Sequence, residues 1–238
     1  MRFIIIRHGD PDYTVDGLTE KGRREAALLS DRLAKEPITA VYCSTMGRAM
    51  QTAQPTLDRL GLTAEYTDWL REVPYPISWE EYPERPYWFA YPPRAWTKYP
   101  EITDAEKWKT LPMFRDAGVA EYLEHVFAEF DVLTAKYGYV RNGMYYDILP
   151  DAQDTVVALF CHQGLGTALL AHLMHVSVPL LWNTTMTPTA SVATVLMERF
   201  FSDDPVAVAR ILSIGDTSHL YAGNEPISSR GLHHEITP

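Results

Sequence analysis

Along the chain, short unbroken apolar runs alternate with stretches whose apolar residues recur at helical spacing, the pattern of strands covered on both faces by helices. Phe3 to Ile6 reads as the first strand. Leu18-Thr19-Glu20 opens a helix in which Ala26, Leu29 and Leu33 share a face, and it ends before Pro37. The next strand covers Thr39 to Cys43. A helix follows from about Met46 to Leu60, with Ser44 or Thr45 as its cap and Gly61 closing it. Ala64 to Thr67 is a short strand. Tyr122, Val126, Phe130 and Leu133, at turn spacing, predict a helix over Val119 to Tyr137. Thr155 to Phe160 is a third unbroken strand, Leu165 to His175 a helix, and Ser191 to Met197 and Val206 to Ile214 are β-rich runs that complete the sheet. This order predicts an α/β fold: a three-layer α/β/α sandwich around a mostly parallel central sheet.

Between residues 73 and 115 the rhythm dissolves. The stretch holds 8 of the 17 prolines and 4 of the 6 tryptophans, so regular elements do not run far in it. Trp79, Tyr82, Tyr87, Trp88, Phe89, Tyr91, Trp96, Tyr99 and Trp108 interleave with the prolines, and Arg85, Arg94, Lys98, Lys107 and Lys109 add charge. Long non-repetitive insertions in compact domains are often lids or binding loops. The segment is therefore an insertion that either caps a pocket or forms a subsidiary core or dimer contact. No linker-like or repetitive stretch divides the remainder, and residues 1–238 read as a single domain.

Charge narrows the partners. A formal charge of -10 and the lack of a Lys/Arg-dense stripe argue against nucleic acid or an anionic membrane as the main partner. A strand that begins at Arg2 leaves no room for a secretory leader, and no apolar run approaches membrane-spanning length, so a cytoplasmic protein is expected. Cys43 and Cys161, each at the end of an apolar run, then read as reduced, buried thiols.

The candidate chemistry lies at the strand ends. The run Phe3 to Ile6 stops, without a spacer, on Arg7 and His8. Ligands of open α/β sheets bind beyond the carboxyl ends of the strands. Arg48 lies in the first turn of the helix after the second strand, where free amides already favour an anion, and His162 follows the third unbroken strand. Guanidinium forks grip phosphate oxygens, and imidazole can donate or attack, so the set suits a phosphoryl group. Neighbouring guanidinium charge favours a neutral His8, and Gly9 leaves room for close backbone approach beside it.

In these residues the chain resembles the histidine phosphatase superfamily, also called the phosphoglycerate mutase-like family. Four pieces stand in family order: Arg7-His8-Gly9, Leu18-Thr19-Glu20-Lys21-Gly22, the run from Ser44 to Ala53, and His162-Gln163-Gly164. The likeness covers roughly residues 1–72 and 154–220, with 73–150 poorly covered. It implies a phosphoglycerate mutase-like fold and a phosphatase that hydrolyses a small-molecule phosphate ester. His8 would take the phosphoryl group as a phosphohistidine, and water would release inorganic phosphate. Arg7, Arg48 and His162 would hold the phosphoryl oxygens, His162 also counting among the catalytic residues. One branch of the family carries an Asp just after the second histidine, where Gln163 stands here. The other uses a Glu after the third strand, and Trp69-Leu70-Arg71-Glu72 makes Glu72 the expected general acid, with Asp10 and Glu80 in reserve. The resemblance implies neither cofactor nor metal. It names no particular substrate, and a homo-oligomer stays open.

Other readings compete. A phosphoglycerate mutase-type phosphotransferase would need to retain its phosphohistidine against water, but Asp-Pro-Asp-Tyr after Gly9 departs from the mutase pattern. A catalytically silent phospholigand-binding protein would not need His8. Gly164 to Leu170 has the context of a dinucleotide fingerprint, yet its third glycine position is Leu169 and no acidic residue follows about twenty positions on. His172 and His175, a turn apart, are two ligands short of a zinc site. His233-His234-Glu235 reads as a mobile tail. His125 and His219 have no evident partner, although Asp216 to Leu220 loosely resembles a family segment near the pocket rim.

Overall fold

The computed structural model describes residues 1–74, 76–77 and 92–231. In chain order the elements are β1 (Arg2–Arg7), β2 (Pro11–Asp12), β3 (Gly17–Leu18), α1 (Glu20–Leu33), β4 (Ile38–Ser44), α2 (Gly47–Leu60), β5 (Ala64–Thr67), α3 (Pro93–Trp96), α4 (Pro112–Arg115), α5 (Val119–Lys136), β6 (Tyr139–Asn142), β7 (Tyr145–Ile148), β8 (Val156–Cys161), α6 (Gln163–Met174), α7 (Val178–Thr184), β9 (Val192–Glu198), β10 (Val206–Asp216) and α8 (Ser218–Ala222). Short 3-10 turns cover Asp68–Leu70, Pro100–Thr103 and Lys107–Thr110.

Eight strands form one sheet in the order β5-β4-β8-β1-β9-β10-β7-β6. The first four pair in parallel, and every later pair is antiparallel, so β9 and β7 run against the rest. Alternate side chains of a strand face opposite sides of a sheet, and here they separate two cores. Phe3 and Ile5 of β1 join Val157, Leu159 and Cys161 of β8 against α5 and α6. Ile4 and Ile6 join Val156, Ala158 and Phe160 against Leu29 and Leu33 of α1 and Ala53 and Leu57 of α2. The result is the α/β/α sandwich that the apolar pattern predicts, its runs unbroken because both faces are covered.

Most expected elements appear within two residues of their expected limits. The 191–197 run, for instance, becomes Val192–Glu198, and 206–214 extends to Asp216. Gly61 closes α2 in the left-handed region, φ 64, and its amide donates to the Leu57 carbonyl. The start of α2 differs from expectation. Neither Ser44 nor Thr45 caps it; the Gly47 amide donates instead to Asp16 Oδ2 at 2.8 Å, while the Ser44 hydroxyl accepts from the Met46 amide at 3.2 Å. A carboxylate brought from a distant loop is invisible to local cap signals. The helix α6 starts at Gln163, two residues earlier than expected, and the β2/β3 and β6/β7 hairpins are additions.

Residues 92–115 are short helical turns packed into the main core. Ala95, Ile102, Trp108, Leu111 and Phe114 are buried in the cluster that includes Phe3 and Ile5, and Trp108 meets Phe114 edge-on with centroids 5.4 Å apart. Burial of each such aromatic side chain stabilises by about 1.5–3 kcal/mol. Trp96 and Tyr99 pack partly against the same core. Trp79, Tyr82, Arg85, Tyr87, Trp88, Phe89 and Tyr91 lie outside the described residues. Cys43 and Cys161 are free and buried, and burial pushes the Cys43 thiol up to about 12. Among the described residues no helix is long and apolar enough to cross a membrane.

Candidate active site

The parallel register brings the basic groups together. Arg7 pairs with Cys161 and Cys43 with Phe160, so β1, β4 and β8 end side by side, with Thr67 of β5 beside Ser44. The residues just beyond these strand ends therefore meet at one edge of the sheet: His8 after β1, Arg48 in the first turn of α2, His162 at the start of α6, and Glu72 past the turn after β5. The His8 and His162 rings lie 5.1 Å apart between centroids. Arg7, His8, Arg48 and His162 are all buried, Glu72 partly so.

A hydrogen bond to a carbonyl fixes the proton of the His8 imidazole. His8 Nδ1 lies 2.7 Å from the Gly9 carbonyl oxygen, which can only accept. The proton therefore sits on Nδ1 and the lone pair on Nε2. Ser44 Oγ accepts from the Met46 amide and lies 2.8 Å from His162 Nε2; where the hydroxyl donates to that nitrogen, the His162 proton is on Nδ1. His162 Nδ1 is buried without a partner among the described residues, as are Arg7 Nε and Arg48 Nε. Buried nitrogens are expensive to leave unpaired, and an oxyanion is the kind of ligand that pairs with N–H donors.

Burial, then the charges of Arg7 and Arg48, hold His8 well below the usual histidine range. Burial does the same to His162, assisted by His8, Arg48 and Arg7. Both rings are neutral near pH 7, in line with the expectation for His8, although burial outweighs the guanidinium charge. Glu72 Oε2 accepts from the Gly164 amide at 3.1 Å, and Oε1 accepts from Leu165 and Val73 at 3.0 Å each. Those amides and Arg48 pull its carboxyl down, but burial is the largest influence and the net direction is up.

The loop that carries His8 is braced from two helices. Thr52 Oγ1 of α2 accepts from the Gly9 amide at 2.9 Å and donates to the Arg48 carbonyl at 2.7 Å. Glu25 of α1, fully buried, accepts from the Asp10 amide at 2.7 Å and from Thr189 Oγ1 at 2.9 Å. A side chain on Gly22 would stand 2.2 Å from the Asp10 carbonyl oxygen, and one on Gly9 would stand 2.8 Å from that of Gly22. The two glycines of RHG and LTEKG thus let α1 touch the His8 loop directly. Arg7 Nη1 donates to the Thr187 carbonyl at 2.5 Å and Nη2 to that of Arg230 at 3.3 Å. Arg48 Nη1 donates to Asp16 Oδ1 at 2.5 Å.

The reserve candidates fare differently. Both Asp10 oxygens are engaged, with Thr19 Oγ1 at 2.8 Å and Ser228 Oγ at 2.6 Å, and Glu80 and the His233-His234-Glu235 cluster lie outside the described residues. Thr52 lies inside the Ser44 to Ala53 run, which gives it no role of its own, and none of the quoted motifs includes Glu25 or Asp16. Thr52 and Glu25 stand one helical turn from Arg48 and from Lys21, a spacing that marks a shared face but names no contact. His125 is exposed, 4.0 Å from Glu129, and His219 meets Arg32 at 3.4 Å. His172 stacks on Phe127 and lies 3.0 Å from Asp131, which also accepts from Arg141 at 2.9 Å. Phe127, Asp131 and His172 line a cavity of about 330 Å³ near the other end of α6. No cluster of three or more metal-ligating groups occurs among the described residues.

Residues 3–116 match the model of the histidine phosphatase superfamily (branch 1). A probable phosphatase of Schizosaccharomyces pombe is 35% identical over 85 residues, which cover 32% of this chain and 41% of that protein. The probable phosphoglycerate mutase GpmB of Yersinia pestis is 33% identical over 82 residues, 31% of this chain and 38% of the relative. The likeness thus spans about two fifths of these relatives' own length. Among solved structures, a mycobacterial hydrolase aligns with a TM-score of 0.58 at 23% identity, covering 90% of this chain and 98% of its own. A phosphoserine phosphatase of Entamoeba histolytica, solved with 3-phosphoglyceric acid, gives 0.59 at 14% identity, with coverage of 92% and 98%. At such identities these structures establish the fold. Residues 3–116, just under half of the chain, resemble the histidine phosphatase superfamily, and this match enters the 73–150 stretch that the motifs left poorly covered.

Proposed function

We propose that the protein is a phosphomonoester hydrolase that works through a phosphohistidine at His8 on a small phosphorylated metabolite. The observation that carries this reading is the tautomer of His8: its Nδ1 proton is committed to the Gly9 carbonyl, which leaves the Nε2 lone pair for phosphorus. Nε2 attacks, the bond from phosphorus to the ester oxygen breaks, and its electron pair goes to that oxygen together with the Glu72 proton. Glu72, now a carboxylate, takes a proton from water as the water oxygen attacks phosphorus and expels Nε2, giving inorganic phosphate. Arg7, Arg48 and His162 supply donors to the equatorial oxygens in both steps, where positioning and charge stabilisation dominate the rate. The three buried, unpaired nitrogens support that role.

The remainder is read as the sequence implies: one histidine phosphatase-like domain, working in the cytoplasm, with neither nucleic acid nor membrane as partner. The test is phosphate release from a panel of alkyl and aryl phosphate esters by purified protein, beside His8→Ala. Release that disappears in the variant is the expected result. Folded protein inactive on every ester would favour the silent phospholigand module, and transfer to a second ester in preference to water would favour the mutase.

A further inference from the structure

We infer that Asp16 is a specificity-determining residue that turns this site away from phosphate esters whose organic part carries a second anion, such as a carboxylate close to the phosphate. The inference rests on the hydrolase reading and deepens it by restricting the class of substrate.

Asp16 is the only acid that touches Arg48 among the described residues. Its Oδ1 accepts from Arg48 Nη1 at 2.5 Å, and its Oδ2 accepts from the Gly47 amide at 2.8 Å. One carboxylate therefore occupies both attractions that this corner offers an anion, an arm of the guanidinium fork and the positive end of the 14-residue helix α2. The residue is firmly seated. Its backbone is in the left-handed region, φ 47, and a side chain on Gly47 would lie 2.2 Å from the Asp16 carbonyl oxygen, so loop and helix are in direct contact. The Tyr13 ring, from the same loop, covers the guanidinium at 5.5 Å. Yet the Asp16 side chain is 45% exposed and that of Arg48 only 7%, so the pair meets solvent mainly through the carboxylate.

The neighbouring cations offer a second anion no better reception. Arg71 lies 3.9 Å from Asp68, Arg230 lies 3.7 Å from Asp10, and Lys21 and Arg24 are both paired with Glu225. The phosphoryl group still finds Arg7, held by carbonyl oxygens and not by a carboxylate, together with the unpaired nitrogens of Arg48 and His162. A carboxylate carried on the leaving alcohol therefore meets the Asp16 charge beside cations that already stand next to acids.

Two three-carbon esters that differ by one charge test this: glycerol 3-phosphate and 3-phosphoglycerate. Asp16→Asn removes the charge, keeps an oxygen for the Gly47 amide, and tolerates the left-handed backbone better than most residues. Wild-type kcat/KM should favour glycerol 3-phosphate by about tenfold or more, the scale of one like charge across a partly screened cleft. In Asp16→Asn the ratio should contract by about tenfold, chiefly through 3-phosphoglycerate, and the wild-type ratio should shrink as salt is raised. The ratio of dissociation constants for the two esters, measured by calorimetry on His8→Ala with and without Asp16→Asn, should move the same way. Ratios that stay within twofold in the asparagine variant, in rate and in binding, overturn the inference and leave the hydrolase reading intact. Binding that shifts as expected in a protein that releases no phosphate leaves the filter standing and removes the hydrolase.

Discussion

At the scale of single residues, the surroundings of the proposed nucleophile and the proposed acid differ in what they do to each group. Burial lowers His8 and His162 and raises Glu72, so near neutrality the imidazole keeps its lone pair while the carboxyl keeps its proton to a higher pH than an ordinary glutamate, about 4.3. These directions set the sign of the pH dependence. In the proposed mechanism protonated Glu72 is the active form for expelling a poor leaving group, so kcat/KM on an alkyl ester falls as pH rises through the raised value. An aryl phosphate, whose leaving oxygen needs little help, should lack most of that fall. Glu72→Gln should lower kcat/KM, which reports phosphorylation of His8, by about 10²–10⁴ for alkyl esters and by less than about tenfold for p-nitrophenyl phosphate. Equal, negligible effects on both would remove Glu72 from the mechanism and return attention to the other acids.

At the scale of elements, the helices do more than cover the sheet. The helix α2 delivers Arg48 and, through Thr52, holds the Gly9 amide; α1 holds the Asp10 amide through Glu25 and touches the same loop through Gly22. The LTEKG motif is legible in the sequence as a helix start, and Thr19 does cap α1, accepting from the Gly22 amide at 3.1 Å. Its second duty is hidden, because the need for glycine at 22 comes from a backbone that lies twelve residues earlier in the chain. Gly22→Ala separates the two roles. Helix propensity alone would make alanine stabilising by about 1 kcal/mol. Contact with the Asp10 carbonyl instead predicts destabilisation of about 1–3 kcal/mol and a lower kcat, read by urea unfolding and phosphate release. A more stable variant of full activity would show that α1 does not press on the loop.

At the scale of the whole molecule, the parallel half of the sheet is what assembles the site. Residues 7, 48, 72 and 162 are far apart in sequence and adjacent only because β1, β4, β5 and β8 share a direction and a register. That much is legible in the sequence, since unbroken apolar runs followed by basic residues specify both a buried strand and what stands at its end. The antiparallel half is less legible: β6 and β7 are four residues each, come soon after α5 and carry no long apolar run. Asp16 is hidden for a related reason, since a loop carboxylate has no periodicity to betray its partner. The aromatic segment resists because proline-rich sequence constrains local geometry without saying what the rings touch; Trp108 and Phe114 turn inward to the main core. The proposed chemistry of the assembled edge comes down to one covalent bond. The most direct measurement is therefore rapid quenching of the protein during turnover of a phosphate ester, under alkaline conditions that preserve phosphoramidates, followed by peptide mass spectrometry. The expected result is a phosphoryl group on His8, absent in His8→Ala and accumulating in Glu72→Gln with an aryl ester. Turnover with an unmodified His8, or with the phosphoryl group on another side chain, would contradict the proposal.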